Sequence, residues 1–186
     1  DGKLKALREV NWTNIKARFG EDRFHAKLQE ANFVGFVNWT MLTSMNDSWA
    51  AILKEVCPKL TGPRRKIFFD LADPEKRTRA DILKALELIA EFEKYFDAIL
   101  GLNEKEAHEI GGHLGLDTKD QSPEGLLKLT QAIHARLKIN TVVVHSVTYA
   151  LAVSVNDDVI VEGPYTPRRL ITTGAGDHLT DGFGHG

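Results

Sequence analysis

The stretch Thr172-Thr173-Gly174-Ala175-Gly176-Asp177 carries the residues best suited to chemistry. It follows a strand-like, Pro-punctuated segment and precedes an expected helix. Backbone N–H groups at a helix start lack intrahelical partners and lie at the positive end of the dipole, so they attract anions. Glycines let a phosphate approach the backbone closely. A carboxylate at the same spot, Asp177, can take a proton from a hydroxyl. Together these make a site where a hydroxyl attacks a phosphoryl group. Taken alone, the stretch reads first as a Gly-rich turn capped by Asp, and the rest of the chain has to decide between the two.

The elements that would position such a site follow from apolar spacing and breakers. Residues 3–31 read as helical, with Leu4, Leu7 and Val10 on one face, a break at Gly20 and a second segment from Asp22. Phe33 to Val37 is a continuous apolar run and predicts a buried strand. Ser48 is expected to cap a helix carrying Trp49, Ile52, Leu53 and Val56, which Pro58 ends. Thr61-Gly62-Pro63 is a turn before a strand from Lys66 to Leu71. After Asp73-Pro74 comes an amphipathic helix with Ile82, Leu83, Leu86, Ile89 and Phe92 on its apolar face. Phe96 to Leu102 predicts a strand, and Asn103 caps a helix to about Leu114. Ser122 and Pro123 start another helix, with Leu126, Leu129, Ile133 and Leu137 inward. Thr141 to Val144, Tyr149 to Val155 and Val159 to Val161 read as strands, the last two joined by a hairpin turn at Asn156-Asp157-Asp158.

This alternation predicts an α/β fold: a doubly wound, mostly parallel but mixed sheet with helices on both faces. Ligands of such sheets sit at the carboxyl ends of the strands. Asn38, Asp70, Asn103, His145 and the 174–177 turn are therefore the positions to inspect. Asn103-Glu104-Lys105-Glu106 lies at one such strand end, and on local grounds it reads as a helix cap with Glu three residues on.

In combination these residues resemble the PfkB/ribokinase family of carbohydrate kinases. Asn103-x-x-Glu106 stands at a strand end, and roughly 70 residues later TTGAGD leads toward a helix. Asp70, with Asp73-Pro74 and Arg77 behind it, is similar to the family's strand that ends in Asp before a Pro- and Arg-containing turn. Over about residues 33–186 the resemblance implies a ribokinase-like fold and ATP-dependent phosphorylation of a sugar or sugar-like alcohol. It implies that Asp177 is the base and that Thr173, Gly174, Ala175 and Gly176 form an anion hole. Asn103 and Glu106 would organise Mg²⁺ through water near the nucleotide phosphates. Asp70, Asn38 and His145 would lie on the substrate or phosphate side. The alternatives are an ADP-dependent sugar kinase and a non-catalytic relative that binds sugar or nucleotide.

The chain departs from the family pattern in several places. The central strand is usually followed by Thr-x-Gly-x-x-Gly against the nucleotide phosphates. Here His145-Ser146-Val147-Thr148-Tyr149-Ala150 follows it, with His for Thr and Val and Ala for the two glycines. Ile171 stands where Asp is common, and Asp181 where a small residue is usual. A Gly-Gly sugar-binding motif and a β-lid are not seen. Asp1-Gly2 opens without Met and Gly186 follows Asp177 by nine residues, so the chain is expected to be a single domain, 1–186, cut at both ends.

Other groups read more plainly. His108 and His113 are five apart, where a helical zinc pair needs four. His178 and His185 read as solvated or substrate-side. Arg64-Arg65-Lys66 reads as a solvated turn or a phosphate contact. Trp39 and Trp49 read as core or rim packing rather than sugar stacking, and Cys57 as inert packing. A net charge of -2 gives no electrostatic case for nucleic acid or an anionic membrane. The single cysteine rules out an internal disulfide and points to a reducing, cytoplasmic setting. The expected partners are a sugar and a nucleotide, with a homodimer open because many members of that family pair through their lids.

Overall fold

The computed structural model describes residues 6–162. After a helical segment at residues 6–8, Asn11 caps a helix by accepting the Asn14 N–H on its side chain at 2.9 Å. That helix, α1, spans Trp12–Arg18. Gly20 breaks it at φ 92°, a conformation costly for a residue with a Cβ, and α2 follows over Glu21–Glu30. Strand β1 is Phe33–Phe36, one residue shorter than the apolar run. Asn38 then takes a left-handed conformation and turns the chain into a short 3₁₀ segment, Trp39–Met41.

Helix α3 spans Met45–Glu55 and so starts before the expected cap. Ser48 lies inside it. Its hydroxyl donates to Ser44 O at 2.9 Å and accepts from Trp12 N at 3.1 Å. The serine is a tie between α1 and α3 rather than a helix start. Strand β2 is Arg65–Asp70, α4 is Arg79–Phe92, β3 is Phe96–Asn103 and α5 is Glu104–His113. Helix α6, Pro123–Leu137, begins as read, with Ser122 accepting from Gly125 N and proline in the first turn. Strands β4, Thr141–His145, β5, Tyr149–Ser154, and β6, Asp158–Glu162, are the remaining strands among the described residues.

The six strands lie side by side in chain order. Strands β1 to β4 are parallel, and β4, β5 and β6 are antiparallel. The mixed α/β sheet expected from the sequence is present. Its inward face carries Ile67, Phe69, Leu100, Leu102, Val142 and Val144, which pack with Trp49, Ile82, Ile89, Phe92 and Leu126 of the helices. Phe69 anchors this core, with its ring centroid 5.1 Å from Trp49 and 5.4 Å from Phe92. Trp39 and Trp49 are fully buried, as packing residues should be. Cys57 is buried too, and burial pushes its thiol up to about 12. No described helix is long and apolar enough to cross a membrane.

The other face holds a second, smaller cluster of Phe68, Ile99 and Val143, flanked by Phe33 and Ala152. Side chains alternate across a strand, so Asp70, Asn103 and His145 belong to this face. Gly101 sits beneath the Phe68 ring, and a Cβ there would fall 2.4 Å from it.

In the basic run that leads into β2, Arg64 and Lys66 are exposed as expected, but Arg65 is not solvated. Arg65 is buried, and its guanidinium donates to the carbonyls of Gln29, Thr61 and Pro63. Arg64 closes the C-terminal end of α4 through the carbonyls of Glu93, Lys94 and Phe96, and pairs with Glu93 and Asp97. Both arginines are committed to backbone oxygens.

Replacing Gly101 by Ala forces the Phe68 ring off its seat and is expected to cost about 1–3 kcal/mol, read as a lowered midpoint in urea unfolding.

Candidate functional site

The carboxyl ends of β2, β3 and β4 bring Asp70, Asn103 and His145 to one edge of the sheet. Asn103 lies opposite His145 in register, and Asp70 lies opposite Gly101, two positions earlier on β3. Between them sits the first turn of α5. Asn103 accepts the Glu106 N–H at 2.8 Å, and Glu106 accepts the Asn103 N–H at 2.9 Å. The motif therefore forms a reciprocal capping box, as its local spacing allows.

Glu106 does more than cap. It is only 6% exposed, and its other carboxylate oxygen accepts the Asp73 N–H at 2.9 Å. Burial raises its carboxyl above the usual range, the two backbone N–H groups oppose that, and the charges of Asp70 and Asp73 add to the rise. The Asp73 contact holds an unusual turn. Ala72 and Asp73 take consecutive positive φ values, 55° and 57°, which residues with a Cβ rarely adopt. Asp70 braces the same turn by accepting the Ala72 N–H at 2.9 Å. Thr40 ties it to the loop after Asn38, donating from its backbone to Leu71 O at 3.0 Å and from its hydroxyl to Asp73 O at 3.2 Å. Asp73 itself pairs with Lys76, which holds its carboxyl below the usual range. Behind the turn, the Arg77 guanidinium lies 4.4 Å from the Trp39 ring centre.

His145 is half-buried at the end of β4. Burial lowers its imidazole below the usual value of 6.5, and the Asp70 charge opposes the shift. After it, Ser146 N donates to Tyr149 O at 2.8 Å and closes a tight turn into β5. None of residues 146–150 takes a positive φ. Val147 and Ala150 can thus replace glycines without backbone strain. The Val147 side chain stands 62% exposed at the tip of the turn.

The donor set at this edge is hard oxygen, suited to Mg²⁺. Each Glu106 oxygen already meets a backbone N–H, so a cation there would be met through its own waters. Among the described residues no group of three or more His, Cys, Asp or Glu could hold a metal directly. His108 and His113 do not converge: His108 bonds Glu104 O at 2.8 Å, and His113 faces Glu109 at 3.7 Å. The structure thus brings Asp70, Asn103, Glu106 and His145 to one edge, with Asn38 on the adjoining loop. Thr173, Gly174, Ala175, Gly176 and Asp177 lie outside the described residues, as do His178 and His185.

With that geometry in hand, the chain can be set beside known proteins. A family model described as prokaryotic ketohexokinase matches residues 1–186. A ketohexokinase of Haloferax volcanii is 25% identical over 188 residues, covering 98% of this chain and 49% of that protein. Ribokinase from Thermotoga maritima superposes with a TM-score of 0.53 at 18% identity, over 86% of this chain and 44% of the other. The 2-dehydro-3-deoxygluconokinase of the same organism gives 0.55 at 14% identity, over 84% and 48%. The chain spans about half the length of the relatives it matches. The two solved structures share its fold.

Glu106→Gln leaves one of two backbone N–H groups facing an amide NH₂. It is expected to cost about 1–3 kcal/mol in urea unfolding. His145 makes a separate pH contribution. Its pKa is lowered on folding, so the folded state binds fewer protons, and that stability is present above pH 6.5. It is lost as the pH falls through the folded value. His145→Leu is therefore expected to flatten the decline in melting temperature below pH 6.5.

Proposed function

The chain belongs to the prokaryotic ketohexokinase family, and from that premise we propose that the protein transfers the γ-phosphoryl group of ATP to a hydroxyl of a ketohexose. The observation that carries this reading is the convergence of Asp70, Asn103, Glu106 and His145 at the carboxyl edge of the sheet. Binding at that edge is the general habit of open α/β sheets.

In this reading Asp177 accepts the proton of the acceptor hydroxyl as its oxygen attacks the γ-phosphorus. The backbone N–H groups of Gly174, Ala175 and Gly176, with Thr173 before them, face the charge spread over the phosphoryl oxygens. Asn103 and Glu106 would hold a hydrated Mg²⁺, which would supply positive charge against the phosphates. Glu106 keeps the strained 72–73 turn in place, and Asp70 and Asn38 stand on the substrate or phosphate side. An Asp base needs little pKa tuning here, because proton transfer can come late in a loose transition state.

A second reading, a non-catalytic sugar or nucleotide binder, draws on Val147 and Ala150, which replace the glycines of the resembling family. The readings part on nucleotide binding. Kinase function requires a rise in melting temperature with ATP and Mg²⁺ together, and its absence favours the binder. Parallel assays with ATP and ADP identify the donor.

Asp177→Asn is expected to abolish phosphoryl transfer to fructose while the circular dichroism spectrum and melting temperature stay unchanged. Retained turnover in that variant removes Asp177 as the base. EDTA is expected to stop transfer by the unaltered protein and added Mg²⁺ to restore it.

A further inference from the structure

The first turn of α5 reaches in two directions. Residues two apart on a helix point to well-separated sides. Glu106 reaches across to the turn after β2, where it accepts the Asp73 N–H. Glu104 reaches the other way, to the turn between β4 and β5, where its carboxylate accepts the Ser146 hydroxyl at 2.8 Å. The Glu104–Ser146 bond joins positions 42 apart in the chain and is partly buried. It continues to the Tyr149 side chain. Burial holds that phenol above its usual range, the charges of Glu104 and Glu124 add to the rise, and a hydrogen bond with Ser146 opposes it.

The consequence is geometric. The turn of residues 146–148 has no glycine and no positive φ to set its shape. It is placed instead by the backbone bond from Ser146 to Tyr149 and by Glu104. The loops on either side of β3 are thus both referred to one rigid helix turn, one through each carboxylate.

We propose that Glu104 is a positioning residue, which through Ser146 sets the β4–β5 turn against the nucleotide of the phosphoryl donor. This rests on the kinase reading above for its kinetic consequence, but not for its structural one. A charge-assisted hydrogen bond in a partly buried site is stronger than a neutral one. Its loss should loosen the turn without touching the reacting atoms, and so appear in KM rather than kcat.

The test uses Glu104→Ala, Ser146→Ala, the double variant and Glu104→Gln in the full-length protein. The glutamine keeps an acceptor for the Ser146 hydroxyl. Each alanine variant is expected to raise KM for the nucleotide about tenfold with kcat and the sugar KM within about twofold. The double variant should match the singles, because the two side chains form one contact, and Glu104→Gln should stay near the parent. Amide hydrogen exchange at residues 145–150 is measured on the same proteins, without substrates. It should quicken in the alanine variants and hold in Glu104→Gln. Unchanged exchange at the turn overturns the proposal whatever the activity. Quickened exchange with an unchanged nucleotide KM in an active protein overturns the link to the donor. Absence of phosphoryl transfer in the unaltered protein would fall on the kinase reading, and the exchange data would then decide the structural link alone. If Glu104→Ala does not fold, Ser146→Ala carries the same comparison.

Discussion

One buried carboxylate holds the carboxyl edge of this sheet together. Glu106 has little access to solvent and therefore pays the desolvation cost of a charge. It meets that cost with two backbone donors from different parts of the chain, Asn103 at the start of its own helix and Asp73 across the edge. The second contact bears on conformation. Two consecutive non-glycine residues in the left-handed region cost about 1–2 kcal/mol each. A hydrogen bond to a charged group contributes about 1.5–3 kcal/mol. Those magnitudes are comparable, so the turn keeps its shape only while its carboxylate partner is in place. Asp70 and the Thr40 loop inherit their positions from it.

Charge at this edge follows a pattern. Asp70, Asp73, Glu104 and Glu106 gather there, and the nearby lysines are engaged, Lys76 with Asp73 and Lys105 with Glu75. A polyanion approaching such a surface meets repulsion, so it requires counter-charge. In the proposed reading a hydrated divalent cation would supply it. Burial disfavours the charged form of His145, so it supplies less counter-charge than an exposed imidazole would.

Much of the fold was legible because its signals are local. The strands β2, β3 and β4 show as short continuous apolar runs, and Ser122-Pro123 announces α6 through the chemistry of the first turn. The Asn103–Glu106 spacing was legible as a cap, and the capping box is what forms. Ser48 was misread because a serine before an apolar stripe resembles a cap, whereas its partner, the Trp12 N–H, lies 36 residues away. Arg65 was misread because charge predicts solvent, and nothing nearby in the chain shows that three carbonyls converge on it. The Ala72–Asp73 conformation carried no glycine to mark it. The Glu104–Ser146 bond had no signal at all, since neither residue type nor spacing links them.

The sheet's plain left-to-right order has a consequence for how the molecule is made. Among the described residues, each strand from β2 to β6 pairs with the one synthesised just before it. A chain leaving the ribosome from its N-terminal side can therefore add each strand to an edge that already exists. Among the described strands, none has to wait for a partner still to be translated, and no earlier pair has to open to admit a later one. The closure distances are those of three crossovers between neighbouring parallel strands, the last carrying two helices, and of two hairpins, which keeps the entropic cost of each step modest.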